Sequence, residues 1–223
     1  MPTPPEFKAP FRPDCFYHIV CKSVDGIFLF KEDIDYQVFL QRFQQFTNSV
    51  LNVWSYDLLS NHTHHIVKIK TLPAVLENIK KASDQTLAMK SLLADQNNEQ
   101  LFDIMIERQM NSFLVSFANY TNNKYNRKGG LFQKPFRRIE VADDNHLQQA
   151  IIYVHANAQK HNIVLDFKDH PFSSYQPILN NDTAFIDVNN VLGFFGGIEK
   201  FTTIHKNQVD HYYSGNSPSS KLE

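Results

Sequence analysis

The segment LLSNHTHHIVKIK, residues 58–70, decides the fold prediction. It joins two runs rich in β-branched and apolar residues, which predict strands over 52–59 and 64–69. The link between them is short, so we expect an antiparallel pair. Because side chains alternate across a strand, His62 and His64 project from one face and His65 from the other. Two imidazoles at this spacing can chelate one divalent ion, although the same pattern is also typical of a surface histidine cluster.

Further elements extend from this hairpin in both directions. Apolar spacing and capping residues predict strands over 15–23 and 137–141, and helices over 34–46, 73–93, 101–122, 143–161 and 188–195. Asp143 or Asp144 can cap the fourth of these helices, and Gly196-Gly197 ends the last. Residues 172–179 read as irregular. The order β-α-β-β, helices, β-α predicts an α+β fold: one antiparallel, ferredoxin-like or RRM-like sheet with helices packed on a face.

Length and composition predict one globular domain with extensions. The 223 residues are 42% hydrophobic and 20% charged, as in ordinary soluble domains. No apolar run approaches the roughly 20 residues that span a bilayer, and the start MPTPP is unlike a signal peptide. We therefore expect a cytoplasmic protein without a membrane partner. Cys15 and Cys21 lie about 20 Å apart on one predicted strand, too far for a disulfide.

A cationic segment is the only charge feature that favours nucleic-acid binding, because the net charge of the chain is −1. Residues 124–138 carry no acidic residue and interleave aromatic residues with Gly129-Gly130, a pair that predicts a sharp turn or a close approach of the backbone. Such a run also fits a solvated surface. Its six cations are Lys124, Arg127, Lys128, Lys134, Arg137 and Arg138.

A second candidate site lies in YVHAN, residues 153–157. Tyr153 and Asn157 are one helical turn apart, so their side chains point the same way. An amide oxygen can bind a hard cation, but a partly buried tyrosine beside a polar neighbour is the plainer interpretation. His155 lies on another face, where a structural or solvent-facing role is expected. His161 could touch DNA or simply end the helix.

Together, and in this order, the motifs resemble the HUH single-tyrosine transposases of bacterial insertion sequences, and among them the REP-associated tyrosine transposases. The resemblance covers residues 15–178. It begins at YHIV (17–20) and GIFLF (26–30) and continues through the histidine segment. The later motifs are YNRKGGLFQKPFRRIEV (125–141), IIYVHANAQKHNIV (151–164) and FSSY (172–175). Gly196-Gly197 and residues 201–205 also resemble the tail often found in these proteins. The chain departs from the pattern at Thr63, where a bulky apolar residue is usual, and at Ala158, where proline is common.

The resemblance implies the HUH endonuclease fold and a role for each motif. Residues 1–13 would form an extended arm, 14–179 the catalytic domain, and 180–223 an extension with a short helix and a disordered tail from Ser214. Tyr153 would be the nucleophile, and His62, His64 and Asn157 would hold Mg²⁺ or Mn²⁺. The cationic segment would bind DNA. The reaction implied is cleavage and joining of single-stranded DNA beside a hairpin through a 5′-phosphotyrosine intermediate.

Other expectations stay open at this point. The protein would work as a monomer or a homodimer, in the cytoplasm and associated with the nucleoid. One alternative is a catalytically inactive, domesticated relative that binds structured nucleic acid. Another is a metal-dependent hydrolase that uses activated water and forms no covalent intermediate.

Overall fold

The computed structural model describes residues 7–213, with side chains to residue 209. The part of the predicted arm before residue 7 and the predicted tail from Ser214 lie outside the described residues. The strands are β1 (Phe16–Lys22), β2 (Leu51–Leu58), β3 (His62–Ile69) and β4 (Arg137–Val141). The helices are α1 (Asp33–Thr47), α2 (Leu72–Lys81), α3 (Leu87–Ala94), α4 (Glu99–Lys124), α5 (Asp144–Lys160), α6 (Tyr175–Leu179), α7 (Val188–Phe195) and α8 (Ile198–Tyr213).

The four strands form one sheet in the order β2-β3-β1-β4, and every neighbouring pair is antiparallel. This confirms the predicted α+β class and the hairpin around residues 58–70. In register, His64 faces Asp57 of β2 on one side and Val20 of β1 on the other. Val20 in turn faces Arg137 of β4. These four side chains therefore lie in one row on one face of the sheet.

Helices cover both faces of the sheet, whereas the sequence predicted helices on one face. The α5 side carries His18 and His64, whose rings contact Tyr153 of that helix. On the opposite face, Phe39 and Phe43 of α1 stack on His65. The sheet is thus the middle of three layers, with helices packed on each of its faces.

One predicted helix was wrong in its limits, and the segment 172–179, predicted to be irregular, contains the helix α6. The single helix predicted over 73–93 is α2 and α3, separated by a polar link whose last residue, Thr86, accepts a hydrogen bond from the Met89 amide and begins a new helix. The helix α8 was not predicted. It packs on α5 and buries Phe201 and His205. Asp143 caps α5 as expected, by accepting from the His146 amide.

The described part of the predicted arm, residues 7–13, packs along the sheet edge. Lys8 bridges to Arg138, Phe11 is buried, and the Tyr17 hydroxyl donates to the Pro10 carbonyl at 2.7 Å. Cys15 and Cys21 are both free thiols, as predicted. Within the described residues, no helix combines the length and the apolarity needed to cross a membrane.

Candidate metal and nucleophile site

The paired histidines lie at the start of β3 and face α5. The ring centroids of His62 and His64 are 5.1 Å apart, which agrees with two imidazoles on one strand face. Asn61 lies beside them, with Oδ1 2.6 Å from Nδ1 of His62. His64 is buried, and burial, followed by the charge of His18, holds its pKa well below the usual value. It is therefore neutral at physiological pH, the form in which an imidazole can bind a metal.

His18 of β1 extends this pair to three histidines. Its Nε2 lies 2.9 Å from Nδ1 of His64, and burial lowers its pKa to about 3. Both rings are neutral, so one nitrogen donates to the other. If His64 is the donor, its Nε2 carries a lone pair that can bind a metal. His18 is thus placed to select the tautomer of His64.

Helix α5 brings Tyr153 onto the histidines. The Tyr153 ring lies 5.9 Å from the His64 ring and 6.0 Å from the His18 ring, both edge-on. The Nζ atom of Lys160 lies 5.1 Å from the centroid of the same tyrosine ring. At the end of the helix, the His161 ring lies 5.2 Å from that of His62. The two sequence motifs predicted to act together therefore meet in space.

Asn157 provides the test of whether these residues fit a metal. It is wholly buried, and neither Oδ1 nor Nδ2 has a hydrogen-bond partner among the described residues. A buried amide without partners is costly, and its oxygen is a donor that Mg²⁺ and Mn²⁺ accept. Within residues 7–213, no group of three or more His, Cys, Asp or Glu side chains is arranged to hold a metal ion. The predicted set of two histidines and one asparagine is of another kind, and the unpartnered amide fits it.

Asp57 is a further buried polar group on this face, and the sequence analysis did not single it out. It is wholly buried directly across the strand pair from His64. Nε2 of His170 lies 3.2 Å from Oδ1 of Asp57, but that nitrogen is hydrogen-bonded to the Leu58 carbonyl. The Ala158 amide faces the carboxylate without meeting hydrogen-bond geometry, so neither oxygen of Asp57 has a good partner. Burial raises the pKa of Asp57 well above its usual value.

The opposite side of α5 is anchored by His155, in agreement with its expected structural role. Its Nδ1 lies 2.8 Å from Nε2 of His205 in α8, and its Nε2 lies 2.7 Å from the Ser174 hydroxyl. Ser174 also accepts from the Tyr56 amide of β2. The FSSY segment and α8 therefore hold the helix that carries Tyr153 in place.

The cationic segment divides into surface and structural residues. Lys128 and Lys134 are exposed, and Gly129 has φ of +92°, the left-handed turn expected of a glycine there. Arg137 lies in the same sheet row as His64, with its guanidinium 5.0 Å from the Phe7 ring. Arg127 donates to the Asn122 side chain and the Gly130 carbonyl, which fixes the turn.

Lys124 and Arg138 are paired within the protein and are not brought to the site. Lys124 contacts the buried Asp35 at 2.7 Å. Arg138 is only 9% exposed and pairs with Asp103 and Glu107. Successive residues of a strand face opposite sides, so Arg138 lies on the face away from Arg137. Two of the six predicted DNA contacts thus have their charges paired with acidic residues of the protein.

His18, Asp57 and Lys160 lie at the site but were not predicted from the sequence. His18 was quoted within YHIV, and the same alternation that pairs His62 with His64 could have placed it on their face once the order of strands was known. Nothing in the local sequence marks Asp57, because its neighbours come from β3 and α5. Lys160 lies about two helical turns after Tyr153, which is a signal that helical spacing does provide.

Comparison with known proteins gives a fold likeness and no family match. No protein-family model matches the chain, and no curated protein matches it. Among solved structures, it is similar to a REP-associated tyrosine transposase bound to a REP hairpin, with a TM-score of 0.56 and 11% sequence identity. The match covers 82% of this chain and 88% of that one. At this identity the likeness shows that the two chains share a fold, and nothing further about activity.

Proposed function

We propose that the protein is a metal-dependent single-stranded DNA endonuclease and strand transferase that acts beside hairpins through a 5′-phosphotyrosine intermediate. The observation that carries the proposal is the meeting of Tyr153 with His64 at 5.9 Å, one helical turn from the unpartnered amide of Asn157. The fold likeness to a transposase solved with a hairpin supports it. We take residues 14–179 as the catalytic domain, acting as a monomer or homodimer in the cytoplasm, associated with the nucleoid.

The proposed metal ligands are His62, His64 and Asn157. A bound Mg²⁺ or Mn²⁺ would withdraw charge from the scissile phosphate and orient it for in-line attack. The part of His18 would be to hold the imidazole of His64 in the tautomer that leaves Nε2 available. Asn157 is carried on the same helix face as Tyr153, so the nucleophile and the ligand would be positioned by one rigid element.

Tyr153 would perform the chemical step. Its phenolic oxygen attacks phosphorus, the bond from phosphorus to the 3′ oxygen breaks, and the leaving strand departs as a 3′ hydroxyl. The 5′ phosphate stays joined to Tyr153, and a 3′ hydroxyl of another strand reverses the step to seal a new junction. The ammonium of Lys160, 5.1 Å from the ring centroid, would stabilise negative charge that develops on the phenol. No nucleotide cofactor is needed, because the phosphotyrosine bond conserves the phosphodiester energy.

The proposed DNA surface consists of Arg127, Lys128, Lys134 and Arg137. Lys128 and Lys134 are exposed around the glycine turn, and Arg137 continues the sheet row of His64. Cations on such a surface contact phosphates without reading the base sequence. We leave Lys124 and Arg138 out of this surface because their charges are paired within the protein.

A second candidate function is that of an inactive relative that binds structured nucleic acid. The burial of Tyr153, which is 7% exposed, and the complete burial of Asn157 favour it. Such a protein would bind a DNA hairpin without metal and would bind equally well as Tyr153→Phe.

A denaturing gel with 3′-labelled DNA separates the two functions. A single-stranded oligonucleotide with a hairpin is incubated with Mn²⁺ and the wild-type protein, Tyr153→Phe or the matched control Tyr120→Phe. We expect a labelled protein band for wild type and Tyr120→Phe and none for Tyr153→Phe, with hairpin binding retained by all three. Cleavage without a protein band would favour the hydrolase, and binding without cleavage the inactive relative.

A further inference from the structure

We propose that Asp57 supplies the negative charge of the metal site, as an oxygen donor to the ion beside His62, His64 and Asn157, either directly or through one water. The inference rests on the proposed function, since it concerns the same ion. It adds a residue from β2, a strand to which the sequence analysis assigned no site residue.

The position of Asp57 is the first support. It is paired in register with His64 on neighbouring antiparallel strands. Side chains directly opposite in such a pair have Cβ atoms about 4.5–5.5 Å apart and lie on one face. The Ala158 amide, next to Asn157 in the chain, faces the Asp57 carboxylate. Asp57 therefore lies on the sheet face that carries His64, against the turn of α5 that carries Asn157.

The missing partners of Asp57 are the second support. It is wholly buried, and neither carboxylate oxygen accepts a hydrogen bond with good geometry. Nε2 of His170, which lies 3.2 Å from Oδ1 of Asp57, is hydrogen-bonded to the Leu58 carbonyl instead. A carboxyl group buried in this way costs several kcal/mol unless something else balances it.

The neighbours of Asp57 share this lack of partners. Within the described residues, buried polar atoms without hydrogen bonds include both oxygens of Asp57 and both polar atoms of the Asn157 side chain. Nδ1 of His18 and the Ser55 hydroxyl also lack partners, and the cross-strand register places both on the same sheet face as Asp57. Protein interiors rarely leave such atoms without hydrogen bonds. A group of them between the sheet and α5 indicates that a polar ligand or ion binds there.

The donor chemistry favours a hard divalent cation as that occupant. Water could satisfy the hydrogen bonds, but only a cation would favour the ionised carboxylate in this buried position. The proposed ligands are two imidazoles, one amide oxygen and one carboxylate oxygen. Of these, the carboxylate would neutralise one of the two positive charges of the ion. Oxygen donors also shift the preference from zinc toward Mn²⁺ and Mg²⁺. The described residues hold no ready-made group of three His, Cys, Asp or Glu donors, so the carboxylate must turn toward the ion or reach it through a water.

The test measures Mn²⁺ binding without DNA, by electron paramagnetic resonance of the free ion. Wild type, Asp57→Asn and the exposed control Asp33→Asn are compared. We expect Asp57→Asn to bind about tenfold more weakly or worse, and Asp33→Asn to bind as wild type does. Equal affinity of Asp57→Asn and wild type, or absence of Mn²⁺ binding by wild type, would overturn the inference.

Thermal unfolding with and without Mn²⁺ separates this role from a structural one. Asp57→Asn and the apolar Asp57→Val both remove the buried acidic group, so without metal they should be as stable as wild type or more stable. The rise in Tm on adding Mn²⁺ should shrink in both. A lower metal-free Tm with an unchanged Mn²⁺ effect would instead mean that Asp57 only supports the fold. If the two variants lose the Mn²⁺ effect and the wild type forms no DNA adduct, this inference holds and the proposed function is wrong.

Discussion

Nε2 of His18 lies 2.9 Å from Nδ1 of His64, and the two rings stack at 24° between the sheet and α5. This contact joins β1 to the strand that carries the proposed metal ligands. It gives His64 a fixed orientation that a histidine on a surface strand would not have. The site is thus supported from the centre of the sheet as well as from the helix.

His18→Leu is expected to weaken Mn²⁺ binding about tenfold, because His64 loses the partner that selects its tautomer. His18→Gln keeps a hydrogen-bonding group in the same place and should recover part of the affinity. The measurement is isothermal titration of the DNA-free protein. Wild-type affinity in His18→Leu, together with loss in His64→Leu, would show that His18 has no positioning role.

Arg137→Ala and Arg138→Ala are expected to have opposite effects although the residues are adjacent. Arg137→Ala should weaken hairpin binding and reduce the slope of log affinity against log salt by about one, the amount for one lost phosphate contact. Arg138→Ala should keep that slope and lower the free energy of unfolding by about 2 kcal/mol, because Asp103 and Glu107 lose their ion pairs with Arg138. Fluorescence anisotropy at several salt concentrations and urea unfolding measure the two effects. A salt slope changed only in Arg138→Ala would reverse the assignment.

Asp35→Ala is expected to destabilise the protein by about 3 kcal/mol. Its buried carboxylate accepts hydrogen bonds from Lys124, Tyr120 and Tyr125 and joins α1 to the end of α4. Asp33→Ala, at an exposed position of the same helix, is the control and should cost under about 1 kcal/mol. Urea unfolding gives both values, and equal values would contradict the structural role of Asp35.

The stability of the fold is expected to fall as the pH is lowered from about 6.5, the usual pKa of histidine, toward 4. Burial lowers the pKa of His205 to about 4, against the hydrogen bond to the Phe201 carbonyl. In that window the unfolded chain binds a proton at position 205 that the folded chain excludes, so the free energy of unfolding loses about 1.4 kcal/mol per pH unit from this group. Burial also holds the pKa of His155 low, with the same sign.

His205→Phe should therefore be less stable at neutral pH, because Nδ1 of His155 loses its partner. Its stability should also fall less steeply with acid than that of wild type. Urea unfolding from about pH 4.5 to about pH 7.5 checks both points. A variant whose stability falls as steeply as that of wild type would show that the neutral histidine pair does not set the acid response.

Sequence periodicity predicted which side chains lie together where both residues belong to the same strand or helix. Alternation on β3 placed His62 beside His64, and helical spacing on α5 placed Tyr153 beside Asn157. The same alternation on β4 separates Arg137 from Arg138, and applying it would have removed one predicted DNA contact. Asp57, His18 and α8 could not be found in this way, because their roles come from the order of strands and from packing between distant segments. The register of β2, β3 and β1 depends on tertiary structure, and no local sequence pattern predicts it.

The most direct test of the central claim locates the DNA adduct on the chain. After incubation with hairpin DNA and Mn²⁺, nuclease and trypsin digestion leave a nucleotide on one peptide, which mass spectrometry identifies. Residues 139–160, between the tryptic sites at Arg138 and Lys160, contain Tyr153 as their single tyrosine. The account predicts the nucleotide on that peptide and its disappearance in Tyr153→Phe. A nucleotide on a peptide carrying Tyr120 or Tyr125, or an adduct that persists in Tyr153→Phe, would contradict it.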